Sequence, residues 1–150
     1  MNNAAENNTQ KNNNGISQKD DRCCKLSVVV SVYNEEKALD SLFKDIIAQD
    51  YPHGNIEVIL VNAMSTDQTR RKMEHFSEED HGFRRVVVLD NAKKIQAAGW
   101  NVAITASKGD IILRIDAHTM IPHDFVSKNV QCILSGENVT GGRRPNVVEE

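Results

Sequence analysis

Asp116 and His118 stand two residues apart at the close of an apolar run, "DIILRIDAHT". In an extended strand, residues i and i+2 project to the same side. A carboxylate and an imidazole placed in this way can reach one divalent ion, and Mn2+ or Mg2+ suits such a site. Mg2+ in particular is commonly held by one or two protein carboxylates, with substrate phosphates and water completing its shell. Taken alone, the same spacing also fits an aspartate that caps a turn followed by a loop histidine.

Two further stretches carry candidate ligand groups. In "VNAMSTDQT", residues 61–69, small and hydroxyl side chains let a flat ligand approach the backbone closely. The amide of Asn62, at once donor and acceptor, could pair with the edge of a base. Ser65 and Thr66 also read as ordinary helix caps, and capping is compatible with ligand contact. In "SVYNEE", residues 31–36, Tyr33 can lie against a ring and Glu35 can accept hydrogen bonds from ribose hydroxyls. The alternative for that stretch is a plain strand end followed by a capped helix.

The elements that must hold these groups alternate. Residues 25–33 form a β-branched run of strand composition. A helix is expected over 34–49, with Leu39, Leu42, Phe43, Ile46 and Ile47 at helical spacing and Asn34 as its cap. Further strands are expected over 56–62, 84–90 and 110–116. Helices are expected from Ser65, where Ser65 and Gln68 have capping-box spacing, over 93–107, ended by Lys108-Gly109, and over 123–134. The stretch "NVTGG" reads as the start of another strand. Strands apolar throughout and separated by helices imply an α/β fold, a mostly parallel sheet with helices on both faces. Such sheets bind ligands beyond the carboxyl ends of their strands. The polar residues of all three stretches fall at those ends.

Composition narrows the function classes. A net charge of −3 argues against a chain built to coat nucleic acid or anionic membrane. No run approaches the roughly 18 apolar residues of a membrane-spanning helix, and no signal-peptide core opens the chain. Three cysteines, Cys23, Cys24 and Cys132, make no disulfide or zinc framework, so a reducing cytoplasm is expected. Asparagine fills seven of the first fourteen positions, and residues 1–24 read as a disordered leader ahead of a single domain over 25–150.

Taken together and in order, these stretches resemble the family-2 glycosyltransferases. The resemblance covers about residues 25–145. "LSVVVSVYNEEKALDSLFKDIIAQDYP" looks like the family's opening strand and helix, and "EVILVNAMSTDQT" is similar to its second strand and turn. "AAGWNVAITASKGDIILRIDAHT" matches the helix and strand that lead to its metal motif. The "DAH" form, followed by "VTGGRRP", looks like the branch near the succinoglycan-biosynthesis enzymes, which build bacterial exopolysaccharide.

The resemblance implies the Rossmann-like, nucleotide-binding half of an A-type glycosyltransferase fold and an inverting transfer from a nucleotide sugar. It implies a UDP-sugar donor and a sugar or lipid-linked acceptor, with no nucleic-acid partner. Any membrane contact would come through segments beyond this chain or partner proteins, at the cytoplasmic face. Ser31, Tyr33 and Glu35 would border the nucleoside, and Asn62 stands where the family usually has a base-reading aspartate. Asp116 and His118 stand at the metal-diphosphate motif, with Mn2+ or Mg2+ as cofactor. Asn101 matches the family's helix asparagine, and Lys94 would neighbour the phosphates. Trp100 stands where smaller residues are common and reads as core. Ala63-Met64 replaces a small pair, which leaves the nucleotide preference open. The family's catalytic base lies well beyond the metal motif, whereas 34 residues follow Asp116 here. The expected base therefore lies beyond residue 150, and the domain reads as truncated on its carboxyl side. A non-catalytic nucleotide-binding or interaction module that keeps the fold is the alternative.

Overall fold

The structure, a computed structural model, describes residues 24–141. The expected leader lies outside the described residues except for Cys24, as does the last glycine of "NVTGG". Four strands, β1 (Leu26–Val32), β2 (Ile56–Asn62), β3 (Arg85–Asp90) and β4 (Ile111–Arg114), form one parallel sheet in the order β3-β2-β1-β4. Four α-helices connect and flank them: α1 (Glu36–Ile47), α2 (Thr69–Glu78), α3 (Gln96–Ala106) and α4 (Phe125–Leu134). A short 3-10 turn, His53–Asn55, precedes β2.

Period-two alternation along β1 and β2 divides the core into two layers. Val28, Val30, Val58 and Leu60 face α1, α2 and α4, where Leu39, Leu42, Met73, Phe76, Val126 and Val130 close the larger layer. Val29, Ile59 and Val61 face α3 and pack on Ala103, with Trp100 at the margin. The central strands therefore read as continuous apolar runs, as a sheet covered on both faces requires. Trp100 packs on this smaller layer while the Arg114 guanidinium lies 4.3 Å from its ring centre. Gln49 is buried at the end of α1 and ties α4 to it, accepting the Val126 N–H at 2.9 Å and donating to the Pro122 carbonyl.

The amino-terminal end of the sheet holds one buried carboxylate. Glu57, 3% exposed, accepts hydrogen bonds from the Ser27 hydroxyl, from Arg85 Nε at 2.5 Å and from the Lys108 backbone N–H at 2.5 Å. Burial pushes this carboxyl up, but the Lys108, Ser27 and Arg85 bonds together outweigh it and hold it below the ordinary glutamate value. Gly109 completes the knot: its N–H donates to Ser27 Oγ, and a Cβ there would stand 2.6 Å from the Ser27 nitrogen.

Several element ends differ from the sequence expectation, for a common reason. Asn34, Met64 and Lys94 have φ of 50°, 59° and 57°, outside the right-handed helical region, so α1, α2 and α3 begin only after them. Asn34 therefore does not cap α1, and Ser65 with Gln68 forms no capping box, since α2 starts at Thr69. The helix α3 ends at Ala106 with Ser107 after it, and Gly109 serves close packing. β4 is shorter than expected, and residues 138–141 form no strand.

Candidate functional site

The strand order reverses between β1 and β4, because β1 is followed by β2 on one side and paired with β4 on the other. A cleft of about 250 Å³ opens at that switch point, beyond the carboxyl ends of the strands. Ser31, Tyr33 and Glu35 line it from β1 and its loop, Ala63 from the turn after β2, Lys94 from the loop after β3, Gln96 from the start of α3, and Asp116 and His118 from the turn after β4.

Asp116 and His118 lie past the last residue of β4, in a turn closed by the Thr119 N–H on the Asp116 carbonyl. The alternation of the strand nevertheless persists through them. Leu113, Ile115 and Ala117 are buried, while the residues between them face outward. The Ile115 N–H still donates to the Val29 carbonyl at 3.0 Å, one residue past the end of β4. The Asp116 carboxylate accepts from Arg114 Nη2 at 3.3 Å. His118 Nδ1 lies 4.0 Å from Glu35 Oε1. Among the described residues no group of three or more His, Cys, Asp or Glu forms a ready cage for a metal ion. A two-donor pair of this kind fits a cation that completes its shell with phosphate oxygens and water.

The loops after β1 and β2 are stitched to each other. The Asn34 N–H donates to Ser65 Oγ, and Asn34 Oδ1 accepts the Thr66 N–H at 2.8 Å. The Glu35 N–H donates to Thr69 Oγ1 at 2.8 Å. Glu36 accepts the Gln68 N–H, while its own N–H donates to Asp67. Hydrogen bonds from Thr69 and Glu36 hold the Asp67 carboxyl low despite the desolvation that raises it. Most polar residues of "YNEE" and "STDQT" thus fix the two loops. The side chains of Tyr33, 52% exposed, and Glu35 are the ones left facing the cleft.

The other candidates from the sequence are placed differently. Asn62, 2% exposed, does not line the cleft. Its Oδ1 accepts the Ser65 N–H at 3.1 Å, and its Nδ2 points to Asp90 Oδ1 at 3.4 Å on the neighbouring strand. A hydrogen bond from Arg70 holds the Asp90 carboxyl low against partial burial, and Asn62 adds to it. Asn62 shapes the turn, and Ala63 presents the small surface to the cleft. Asn101 is exposed on α3, outside the cleft lining.

Two contributors have no counterpart in the sequence expectation. Gln96, the first residue of α3, lines the cleft, and its position just after a strand's carboxyl end was the available signal. Gly99 lets α3 approach β1: a Cβ there would collide with Ser31 Oγ and stand 3.2 Å from Asn91 Nδ2.

A family model described as glycosyl transferase family 2 matches residues 27–150. A succinoglycan biosynthesis protein of Rhizobium meliloti is 32% identical over 110 residues, covering 72% of this chain and 32% of that protein. The mannosyltransferase PcManGT from Pyrobaculum calidifontis, solved in complex with GDP-Man and Mn2+, superposes with a TM-score of 0.68 at 25% identity, over 72% of this chain and 32% of that one. Staphylococcus aureus TarS 1–349 in complex with UDP-GlcNAc superposes with a TM-score of 0.66 at 25% identity, over 81% of this chain and 37% of that one. The chain thus spans about a third of the length of each of these proteins.

Proposed function

The chain belongs to glycosyl transferase family 2, and from that premise we propose that it is the donor-binding part of a nucleotide-sugar-dependent glycosyltransferase of polysaccharide or exopolysaccharide assembly. The observation that carries the proposal is the cleft at the switch point. It gathers Ser31, Tyr33, Glu35, Lys94, Asp116 and His118 from the end of β1 and from three separate loops. UDP-sugar is the proposed donor, with a sugar or lipid-linked acceptor, and Mn2+ or Mg2+ is the proposed cofactor.

Each group has a role its chemistry suits. Tyr33 offers an exposed ring face to the base. Ser31 can hydrogen-bond the nucleoside, and Lys94 brings a positive charge to the phosphate side. Asp116 and His118 would hold the cation. When bound, the cation neutralises charge on the departing nucleoside diphosphate, an effect of several kcal/mol. Arg114, outside the cleft lining, contacts Asp116 and helps to orient its carboxylate. The loop stitch from Asn34 to Thr66 holds the nucleoside side rigid, so little ordering is left to the binding step.

Calorimetric titration with UDP, with and without Mn2+, tests this reading. The wild-type chain should bind UDP more tightly with Mn2+. Asp116→Asn should abolish that gain, and His118→Ala should reduce it less, because water can replace a neutral ligand. Equal affinity of wild type and Asp116→Asn in Mn2+ would sink the assignment.

A further inference from the structure

We propose that Asn91 is a positioning residue for Lys94: its buried amide closes the loop after β3 and so holds the lysine at the phosphate side of the cleft. The inference rests on the donor-site reading above and adds a residue to it.

Charge makes Lys94 the group that must be held. It is the one lysine or arginine among the residues that line the cleft, and two carboxylates, Glu35 and Asp116, line it as well. A diphosphate entering this cleft therefore meets a single fixed positive charge of the chain. Among the described residues no ion pair or side-chain hydrogen bond anchors the Lys94 ammonium, so the backbone alone aims it. That backbone is in an uncommon state. Lys94 has φ of 57°, a left-handed conformation that a residue with a Cβ keeps only where its surroundings fix it.

Asn91 supplies those surroundings. It lies one residue past the end of β3 and is 1% exposed. Its backbone N–H donates to the Asn62 carbonyl at 2.8 Å, which ties the loop to the end of β2. Its carbonyl accepts the Lys94 N–H at 3.2 Å. Its side chain makes two more bonds: Oδ1 accepts the Lys93 N–H at 3.2 Å, and Nδ2 donates to the Ile95 carbonyl at 2.8 Å. The same Ile95 carbonyl accepts the Gly99 N–H and so opens α3. Residues 91–95 are thus closed on one buried amide, with Lys94 inside the closure.

The chemistry singles out asparagine. The loop needs one acceptor and one donor on a short side chain, and a neutral amide carries both. A carboxylate would face the Ile95 carbonyl with no proton to give, and a serine hydroxyl is too short to span both partners. General support of α3 is the competing role. Asn91 and Ser31 both lie against Gly99, so loss of that support would disturb the nucleoside side of the cleft as much as the phosphate side.

The experiment compares uridine with UDP, both titrated in Mn2+, with the urea midpoint of each variant as the check on folding. Uridine has no phosphate for Lys94 to meet, so the ratio of the two affinities reads the phosphate side. Lys94→Ala should lower the UDP-to-uridine ratio by about tenfold, the loss of one charge-assisted contact. Asn91→Ala should lower it by about fivefold, because the ammonium is displaced but still present. In a Lys94→Ala background, Asn91→Ala should change the ratio by less than about twofold, since coupled residues are not additive. Asn91→Ser, whose hydroxyl can still accept the Lys93 N–H, should fall between wild type and Asn91→Ala. Should Asn91→Ala fail to fold, the serine variant decides. A wild-type ratio in the folded Asn91 variants, or losses that add to that of Lys94→Ala, would overturn the proposal. Failure of the donor-site reading looks different: wild type itself would then bind UDP no better than uridine.

Discussion

The two ends of one sheet hold carboxylates in opposite circumstances. At the amino-terminal end, Glu57 is buried and accepts from Ser27, Arg85 and Lys108, and Arg85 Nη2 donates to the Ala106 carbonyl. At the carboxyl-terminal end, Asp116 has one contact at 3.3 Å and Glu35 has a histidine at 4.0 Å. The first cluster is saturated and the second is open. Saturation ties the β1, β2 and β3 starts to the end of α3. Openness leaves acceptor capacity for a ligand that carries positive charge. The backbone repeats the contrast: every described non-glycine residue with positive φ, Asn34, Met64 and Lys94, lies in a loop at the open end. Strain of this sort gathers at binding sites because surrounding structure must hold it in place.

The sharpest way to break the contrast is at Glu57. Glu57→Ala leaves Arg85 without its buried partner and should cost about 3 kcal/mol, read as a lower urea midpoint. The folded protein should keep its UDP affinity, because the cleft lies at the other end. The same carboxylate sets an acid dependence. Its folded value lies below its unfolded one, so the unfolded chain binds the proton first as pH falls. Its contribution is full above the unfolded value, roughly 4.3, and is lost as pH drops through the lower folded value. Glu57→Gln should flatten that part of the stability curve.

Gly99→Ala should disturb both ends of the comparison at once. The added methyl meets Ser31 and Asn91, and overpacking of this kind costs about 1–3 kcal/mol. Because Ser31 lines the cleft, UDP affinity should fall along with the denaturation midpoint. Unchanged affinity would show that the α3 approach matters to packing alone. The smallest effect belongs to Met64, which is 42% exposed at φ 59°. Met64→Gly relieves about 1–2 kcal/mol of left-handed strain and adds about 0.5–1 kcal/mol of unfolded-state entropy. The expected net gain is about 0.5 kcal/mol, measurable as a small rise in midpoint.

The fold was legible because the strands are runs of Val, Ile and Leu, and α1 places Leu39, Leu42, Phe43 and Ile46 on one face. Asp116 and His118 were legible because the outward alternation of β4 carries on through them. Asn34 and Asn62 were not. A polar residue near a helix start can serve its own helix or a neighbouring loop, and the partner of Asn34 lies 32 positions away. The partner of Asn62 lies one strand over, at Asp90, and burial of the amide follows from that pairing. Glu57 did leave a trace, as the one charge inside the strand "IEVILVN", but its three partners come from three other segments.

The reversal of strand order has a consequence in time as well as in space. β1 meets β2 across a separation of 30 residues, but the β1–β4 end is joined across 85. Closing the longer loop costs more chain entropy, and long-range parallel pairings form late. Strands β1, β2 and β3 can therefore assemble before β4 arrives, and the cleft does not exist until it does. The pairing that makes the binding site is the one the chain must wait longest to form.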